Sequence, residues 1–445
     1  MTLHASRRHF LRTLSGLAAT GATRPIAVAL AAMASATAQA ATDYRALVCI
    51  YMGGGNDHLS TIIPYDTASY AAYASARGLL AIPRSQLTAI RDPAGHGGLQ
   101  LAFNPALPKI RALSNAGHAV VVSNVGTLIE PTTKASIVNG SAHLPSLLAS
   151  HSDQYNTWVS LAASTVDGWG GRMGDVLAAG NGNAAFTTIS ATGGSTLLLS
   201  GRTSQPFTVS SYGAPQVFFN PGSPLEHAVT NAGRRRNLLE RAVSSVYDSL
   251  RDNSNTLGAA MLAENVFPVP PSQNYLAEEL RTLARIVGGA ATLNVKRQIF
   301  FVEFGGFDTH DGQLANHPGL MQTLDDAVGY FNTLMTQIGA WNNVTLMTLS
   351  EFGRQLSPNN DGTDHGWGSH HIVTGGAVAG GIRGTIPQIA IDGNDFLGGG
   401  FMIPTTSIEQ YGASIARWMG LAESAVQDIF PRITRYTTQD LGLFV

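Results

Sequence analysis

Three stretches of this 445-residue chain place an acid just beyond a short apolar run. Leu47 to Met52 leads through Gly53-Gly54-Gly55-Asn56 to Asp57, Ile299 to Phe304 through Gly305-Gly306-Phe307 to Asp308, and Val344 to Leu349 through Ser350 to Glu351. Carboxylates gathered at one place from such distant points repel one another unless a cation sits between them. Asp57, Asp308 and Glu351 are therefore candidate metal ligands, although a Gly-Asn-Asp sequence is also common in plain turns.

The histidines sharpen that reading. Asp308-Thr309-His310 puts a carboxylate and an imidazole two residues apart, so both face one side of an extended segment. Such a pair suits zinc or manganese, whereas an all-oxygen shell suits calcium. His310 is the expected ligand; His317 is the alternative, or else caps the next helix. Gly362-Thr363-Asp364-His365-Gly366-Trp367-Gly368-Ser369-His370-His371 sets three more histidines among glycines. His365 is the first choice there, with one of His370 and His371 facing the site and the other packing.

Arg354, three residues past Glu351, has two readings. It clamps a tetrahedral oxyanion with its planar donors, or it neutralises Glu351 across a turn of helix. Ser150-His151 opens a helical stretch, where free amides and the helix dipole favour an anion. Ser150 is a candidate metal-activated nucleophile and His151 its proton-transfer partner, with Ser152 as a simple N-cap the plainer explanation of the segment.

The elements that must position these side chains alternate between strand and helix. Short continuous apolar runs bounded by turns read as buried parallel strands, and ligands in open α/β sheets gather at the carboxyl ends of such strands. Further strands are expected at 118–123, 371–375 and 386–391, and helices at 66–76, 104–116, 142–163, 169–179, 234–252, 273–287, 319–341 and 407–419. Residues 185–290 interrupt the rhythm and read as an inserted lobe. The expected fold class is α/β, with a mostly parallel central sheet flanked by helices.

Residues 1–40 stand apart from the fold. Ser6-Arg7-Arg8-His9-Phe10-Leu11-Arg12 precedes an alanine-rich stretch ending Ala38-Gln39-Ala40, the pattern of a twin-arginine export signal with its cleavage site. Gly16, Gly21, Arg24 and Pro25 interrupt that stretch, so no stable membrane span is expected. Cleavage takes four arginines and no acid from 27 basic and 29 acidic residues, leaving a formal charge of −6. That charge argues against a nucleic-acid partner. The single cysteine, Cys49, excludes an internal disulfide and reads as core packing.

Several of these segments occur together, in order, in a known family. The export signal, Gly54-Gly55-Asn56-Asp57, Ser150-His151 through Trp158, Asp167-Gly168-Trp169 with Gly171-Arg172, Gly306-Phe307-Asp308-Thr309-His310 with Gln313, Ser350-Glu351-Phe352-Gly353-Arg354, and Gly362-Thr363-Asp364-His365-Gly366 with Gly375-Gly376 are the matching residues. From about residue 44 to 442 the chain resembles a large uncharacterised family of twin-arginine-exported bacterial proteins related to the alkaline phosphatase and sulfatase superfamily. The resemblance implies an alkaline-phosphatase-like α/β domain with one or two divalent ions (zinc, manganese or calcium), acting on a phosphate or sulfate ester in the periplasm or outside the cell. Asp57 resembles the first-strand metal aspartate, Asp308 and His310 the central pair, Glu351 the acid of an Asp-His pair, and His365 the late histidine. Two positions depart from the superfamily pattern: Phe352 stands where a histidine is expected, and the central pair is more tightly spaced. No sulfatase Cys-x-Pro-x-Arg or Ser-x-Pro-x-Arg signature occurs. The expected partners are the export machinery and an anionic small-molecule or polysaccharide ester. The alternative is a non-catalytic envelope protein that binds metal or polysaccharide on the same fold.

Overall fold

The computed structural model describes residues 44–162, 166–192, 196–215, 223–230 and 237–445. The export signal expected at residues 1–40 lies outside them. Among the described residues, nine strands form one sheet: β1 (Arg45–Gly53), β2 (Ala119–Gly126), β3 (Thr188–Ser190), β4 (Phe207–Thr208), β5 (Arg297–Gly305), β6 (Val344–Leu349), β7 (Ser369–Gly375), β8 (Gly381–Arg383) and β9 (Thr406–Ser407). Their order is β8-β2-β7-β6-β1-β5-β3-β4, with β9 paired to β2. All pairings are parallel except those of β7, which runs antiparallel to both β2 and β6.

The centre of the sheet follows from the three apolar runs. Tyr51 of β1 pairs with Glu303 of β5 on one side and Leu349 of β6 on the other, so these strands end side by side. Their alternation divides the core. Val48, Ile50 and Met52 enter one apolar cluster, while Leu47, Cys49 and Tyr51 enter the other. The first face is covered by helices that include Tyr275–Gly288 and α2 (Gln313–Gln337), the second by helices that include α1 (His151–Ser160) and α3 (Ile408–Trp418). Cys49 is a free thiol buried in that second layer.

Two expectations change here. Residues 386–391 form no strand, and Pro387 removes the amide that a ladder would need. The short strands expected inside the 185–290 excursion, β3 and β4, instead extend the main sheet beyond β5. Beyond them, Leu238–Ala260 and Tyr275–Gly288 are helical, as their apolar spacing suggested. No helix among the described residues is long and apolar enough to cross a membrane.

Glycine decides how closely the strand-end loops approach. Gly54 and Gly55 have φ of 118° and 75°. A Cβ on Gly54 would lie 2.3 Å from the Asp308 amide nitrogen, and one on Gly55 would lie 2.2 Å from the Phe352 ring. The β1 loop therefore seats directly against the loops after β5 and β6.

Candidate metal centre

Side chains from three segments meet at the carboxyl edge of the sheet. Asp308 and His310 follow β5 through a tight turn in which Thr309 N–H bonds Phe307 O and His310 N–H bonds Asp308 O. That turn, rather than an extended strand, brings both side chains to one side. His365 ends a short strand, Thr363–His365, paired antiparallel with Arg354–Pro358. His151 is the first residue of α1, whose N-cap is Ser150.

The contacts centre on Asp308. His310 Nε2 lies 2.9 Å from His365 Nε2 and 3.1 Å from Asp308 Oδ1. His365 Nε2 lies 3.2 Å from the same oxygen, and His151 Nε2 lies 3.5 Å from Asp308 Oδ2. His151, Asp308 and His365 each offer a donor atom within 4.8 Å of the others. Donors about 2.1 Å from a common tetrahedral centre stand about 3.4 Å apart, close to the separations from Asp308, and His310 adjoins this trio through His365 and Asp308.

The other ring nitrogen of each histidine meets an acceptor. His365 Nδ1 lies 2.8 Å from Ala149 O, His151 Nδ1 lies 2.7 Å from Glu351 Oε1, and His310 Nδ1 lies 3.2 Å from Asp364 Oδ1. All three partners only accept, so each ring is held from behind while its Nε2 faces inward toward the Asp308 carboxylate. The Nε2 atoms of His310 and His365 are too close for both to carry a proton. Imidazoles held from behind by carboxylates or a carbonyl are the usual build of a transition-metal site.

Asp308 keeps its charge through Arg354. Partial burial alone would raise its pKa, but hydrogen bonds from Arg354 and His365 and the guanidinium charge outweigh that and hold it below the usual carboxylate value.

Arg354 is fully buried, and the sequence expectation of a free oxyanion clamp changes accordingly. Its Nε donates to Gly55 O at 2.9 Å and Phe307 O at 3.2 Å. Nη2 reaches Gly54 O at 2.9 Å and the Asp308 carboxylate, and Nη1 reaches Thr363 O. Burial pushes its pKa down while Asp308 pushes it back up, and the first effect prevails. The guanidinium ties the strand-end loops to Asp308 rather than pairing with Glu351.

Glu351 stands one layer behind the cluster. Its Oε1 accepts from Gly54 N at 2.9 Å as well as from His151, and Oε2 accepts from Ser350 Oγ at 3.2 Å. It orients His151 rather than joining the inward-facing donors.

Asp57 is not brought to the cluster. It is fully buried, paired with Arg77 through bonds of 2.6 and 2.8 Å, and also contacted by Gln313 Nε2. Burial would raise its pKa, but Arg77 overcomes that and holds it far below the ordinary value. With both oxygens taken, the carboxylate anchors the β1 loop instead of offering itself to an ion. Arg77 was missed in the sequence because it lies 20 positions downstream on a helix with no obvious chemistry.

Ser150 caps α1. Its Oγ contacts the Asp153 carboxylate and accepts weakly from Asp153 N at 3.4 Å, so the cap reading given to Ser152 belongs to Ser150. The expected nucleophile thus has a structural partner, and its neighbour His151 takes the place at the cluster.

The other histidines expected near the site, His317, His370 and His371, are core residues. His317 lies inside α2 with Nε2 3.2 Å from Asn56 Oδ1, and burial lowers its pKa to about 4. His370 and His371 are both buried, with pKa values pressed down to about 3. Neither joins the four inward-facing donors. Phe352, the departure from the superfamily pattern, packs its ring 4.9 Å from His151 and 4.7 Å from His365. It forms an apolar wall behind two of the imidazoles.

Comparison with solved structures gives distant likenesses only. The PsFucS1 sulfatase from Pseudoalteromonas sp. is 10% identical, with 95% of this chain and 77% of that one covered at a TM-score of 0.35. The lipoteichoic acid synthase LtaP from Listeria monocytogenes is 9% identical, with 86% and 77% covered at 0.32. The phosphonate monoester hydrolase SpPMH from Silicibacter pomeroyi is 10% identical, with 85% and 73% covered at 0.34. Likeness at this level carries no residue assignment and no reaction. No curated protein matches the sequence. A family model described as "Protein of unknown function (DUF1501)" matches residues 44–428, and the chain belongs to that family.

Proposed function

We propose that this protein is an exported, metal-dependent hydrolase of a phosphate or sulfate ester, with the ion held by His151, Asp308, His310 and His365. The observation that carries the proposal is the convergence of three Nε2 atoms on the Asp308 carboxylate, each ring held by an acceptor behind it. The nitrogen-rich donor set fits zinc or manganese and fits calcium poorly. A divalent ion bound there supplies Lewis acidity toward an ester oxygen and lowers the pKa of water.

The chain's own residues set the frame for that chemistry. Arg354 fixes the Asp308 carboxylate and keeps it charged. Glu351 and Asp364 hold the rings of His151 and His310. Asp308 and His310 remain 49% and 43% exposed, so an ester can reach them from solvent. With Ser150 engaged as a cap, the attacking group is water rather than a serine. Export rests on Arg7-Arg8 and Ala38-Gln39-Ala40, and the N-terminal residue of protein recovered from a bacterial periplasm tests it.

A second reading is a non-catalytic envelope protein with a retained metal. It is favoured by the engagement of both Ser150 and Arg354, which leaves no free clamp for a transferring group. Turnover of aryl phosphate, phosphodiester and aryl sulfate by metal-loaded protein separates the two. Hydrolysis of at least one ester that is lost in Asp308→Ala supports the enzyme, whereas a full metal complement with no turnover on any of them supports binding alone.

A further inference from the structure

We propose a separate binding site for a sugar unit carrying one anionic group, in a cavity of about 550 Å³ at the β2 end of the sheet. The cavity shares no residue with the metal centre. Thr406, which pairs with Val125 of β2, forms part of its floor, and Thr385 and Thr405 line it beside that strand. β2 and β6 are parallel and separated only by β7, so the cavity sits at the same carboxyl edge as Glu351. Thr406 in β9 lies three strands from β6, so at about 4.8 Å per strand the lateral offset is about 14 Å.

The wall is hydroxyl-rich and carries one charge. Gln410 is fixed by bonds from its Nε2 to Thr438 O at 2.7 Å and from Ser407 N to its Oε1 at 2.8 Å. Thr406 Oγ1 donates to Ser123 O at 3.1 Å. Thr385, Thr405, Thr437 and Thr438 line the space at the exposed rim, and among the described residues their hydroxyls bond to nothing within the chain. They can donate and accept, as sugar hydroxyls require.

Arg435 is the only charged residue of the lining among the described residues. Its Nη1 is spent on Ile129 O at 2.9 Å, leaving the exposed Nε and Nη2 without a partner among the described residues. Those donors form one edge of a planar fork, which suits sulfate, phosphate or carboxylate. Glu130 lies near enough to feel Arg435, but one of its oxygens accepts both the backbone N–H and Nδ1 of His143 at 2.9 Å. No acid lines the cavity, so nothing inside it repels an anion. Its volume exceeds the needs of a bare phosphate and falls within the range of small-ligand pockets.

The test titrates wild-type, Arg435→Gln, Thr405→Val and Asp308→Ala protein, all kept metal-free with EDTA so that no ester is bound or turned over at the metal centre, with glucose 6-sulfate, glucose 6-phosphate, glucuronate and glucose, followed by calorimetry and ligand-observed NMR. Each variant is first checked for wild-type melting. The expected result is millimolar binding of the anionic sugars, weakened about tenfold by Arg435→Gln, weakened less by Thr405→Val and unchanged by Asp308→Ala. The preference among the three anions identifies the charged group. Equal binding of glucose, loss in Asp308→Ala with none in Arg435→Gln, or no binding of any anionic sugar overturns the proposal. Because Asp308→Ala is expected to retain the sugar, failure of the metal reading and failure of this site are read separately.

Discussion

His371 allows a prediction of sign and size. Its ring is fully buried, 5.3 Å from Trp158 and stacked on Tyr411 at 5.8 Å, with Nε2 lacking any hydrogen-bond partner. Burial pushes its pKa to about 3, against the ordinary histidine value of 6.5. The unfolded chain therefore takes up this proton first. The native state's advantage is complete above about pH 6.5 and declines at about 1.4 kcal/mol per pH unit until about pH 3. At pH 5 that loss is about 2 kcal/mol. His371→Phe keeps an aromatic ring at the site and removes the titration, so the variant should gain about 2 kcal/mol on wild type between pH 7 and pH 5, whatever its offset at pH 7. Urea unfolding of both proteins at the two pH values, with unchanged m-values, measures the difference of differences. A difference that stays constant with pH would refute the claim that His371 is held neutral by burial.

Other perturbations follow from the same contacts. Arg77→Met strands the Asp57 carboxylate in the core and should cost about 3–5 kcal/mol, read as a fall in the urea midpoint. Gly55→Ala forces a Cβ onto the Phe352 ring at an unfavourable φ and should cost about 1–3 kcal/mol or more; a midpoint equal to wild type would show that the loops are not in close contact. Glu351→Gln turns an obligate acceptor into a group that can also donate to His151, and should weaken metal binding about 10- to 100-fold in a competition titration while the fold persists.

The central strands were legible because their apolar runs are continuous and bounded by turns. The burial of Leu47 to Met52, Ile299 to Val302 and Val344 to Leu349 on both sheet faces is the physical reason for that pattern. Asp308, His310 and His365 were legible as a cluster because an acid beside a histidine at a strand end has few structural uses. What sequence could not separate was a carboxylate that faces the cluster from one that supports it. Asp57 and Glu351 have the same local signature as Asp308, yet Arg77 claims the first and His151 with Gly54 N claims the second. Both partners come from other elements, so spacing along the chain carries no trace of them. Arg354 was ambiguous for a similar reason, since its carbonyl partners at residues 54, 55, 307 and 363 meet only after folding. Pro387 was a visible warning against a strand at 386–391, outweighed by the isoleucines around it.

The account depends most on the cation proposed to sit among the inward-facing imidazoles. Elemental analysis of protein loaded with zinc and manganese, then dialysed free of excess, should find about one transition-metal ion per wild-type chain and background levels in folded Asp308→Ala and His365→Ala. Wild-type protein that is folded yet holds no more metal than these variants would contradict it.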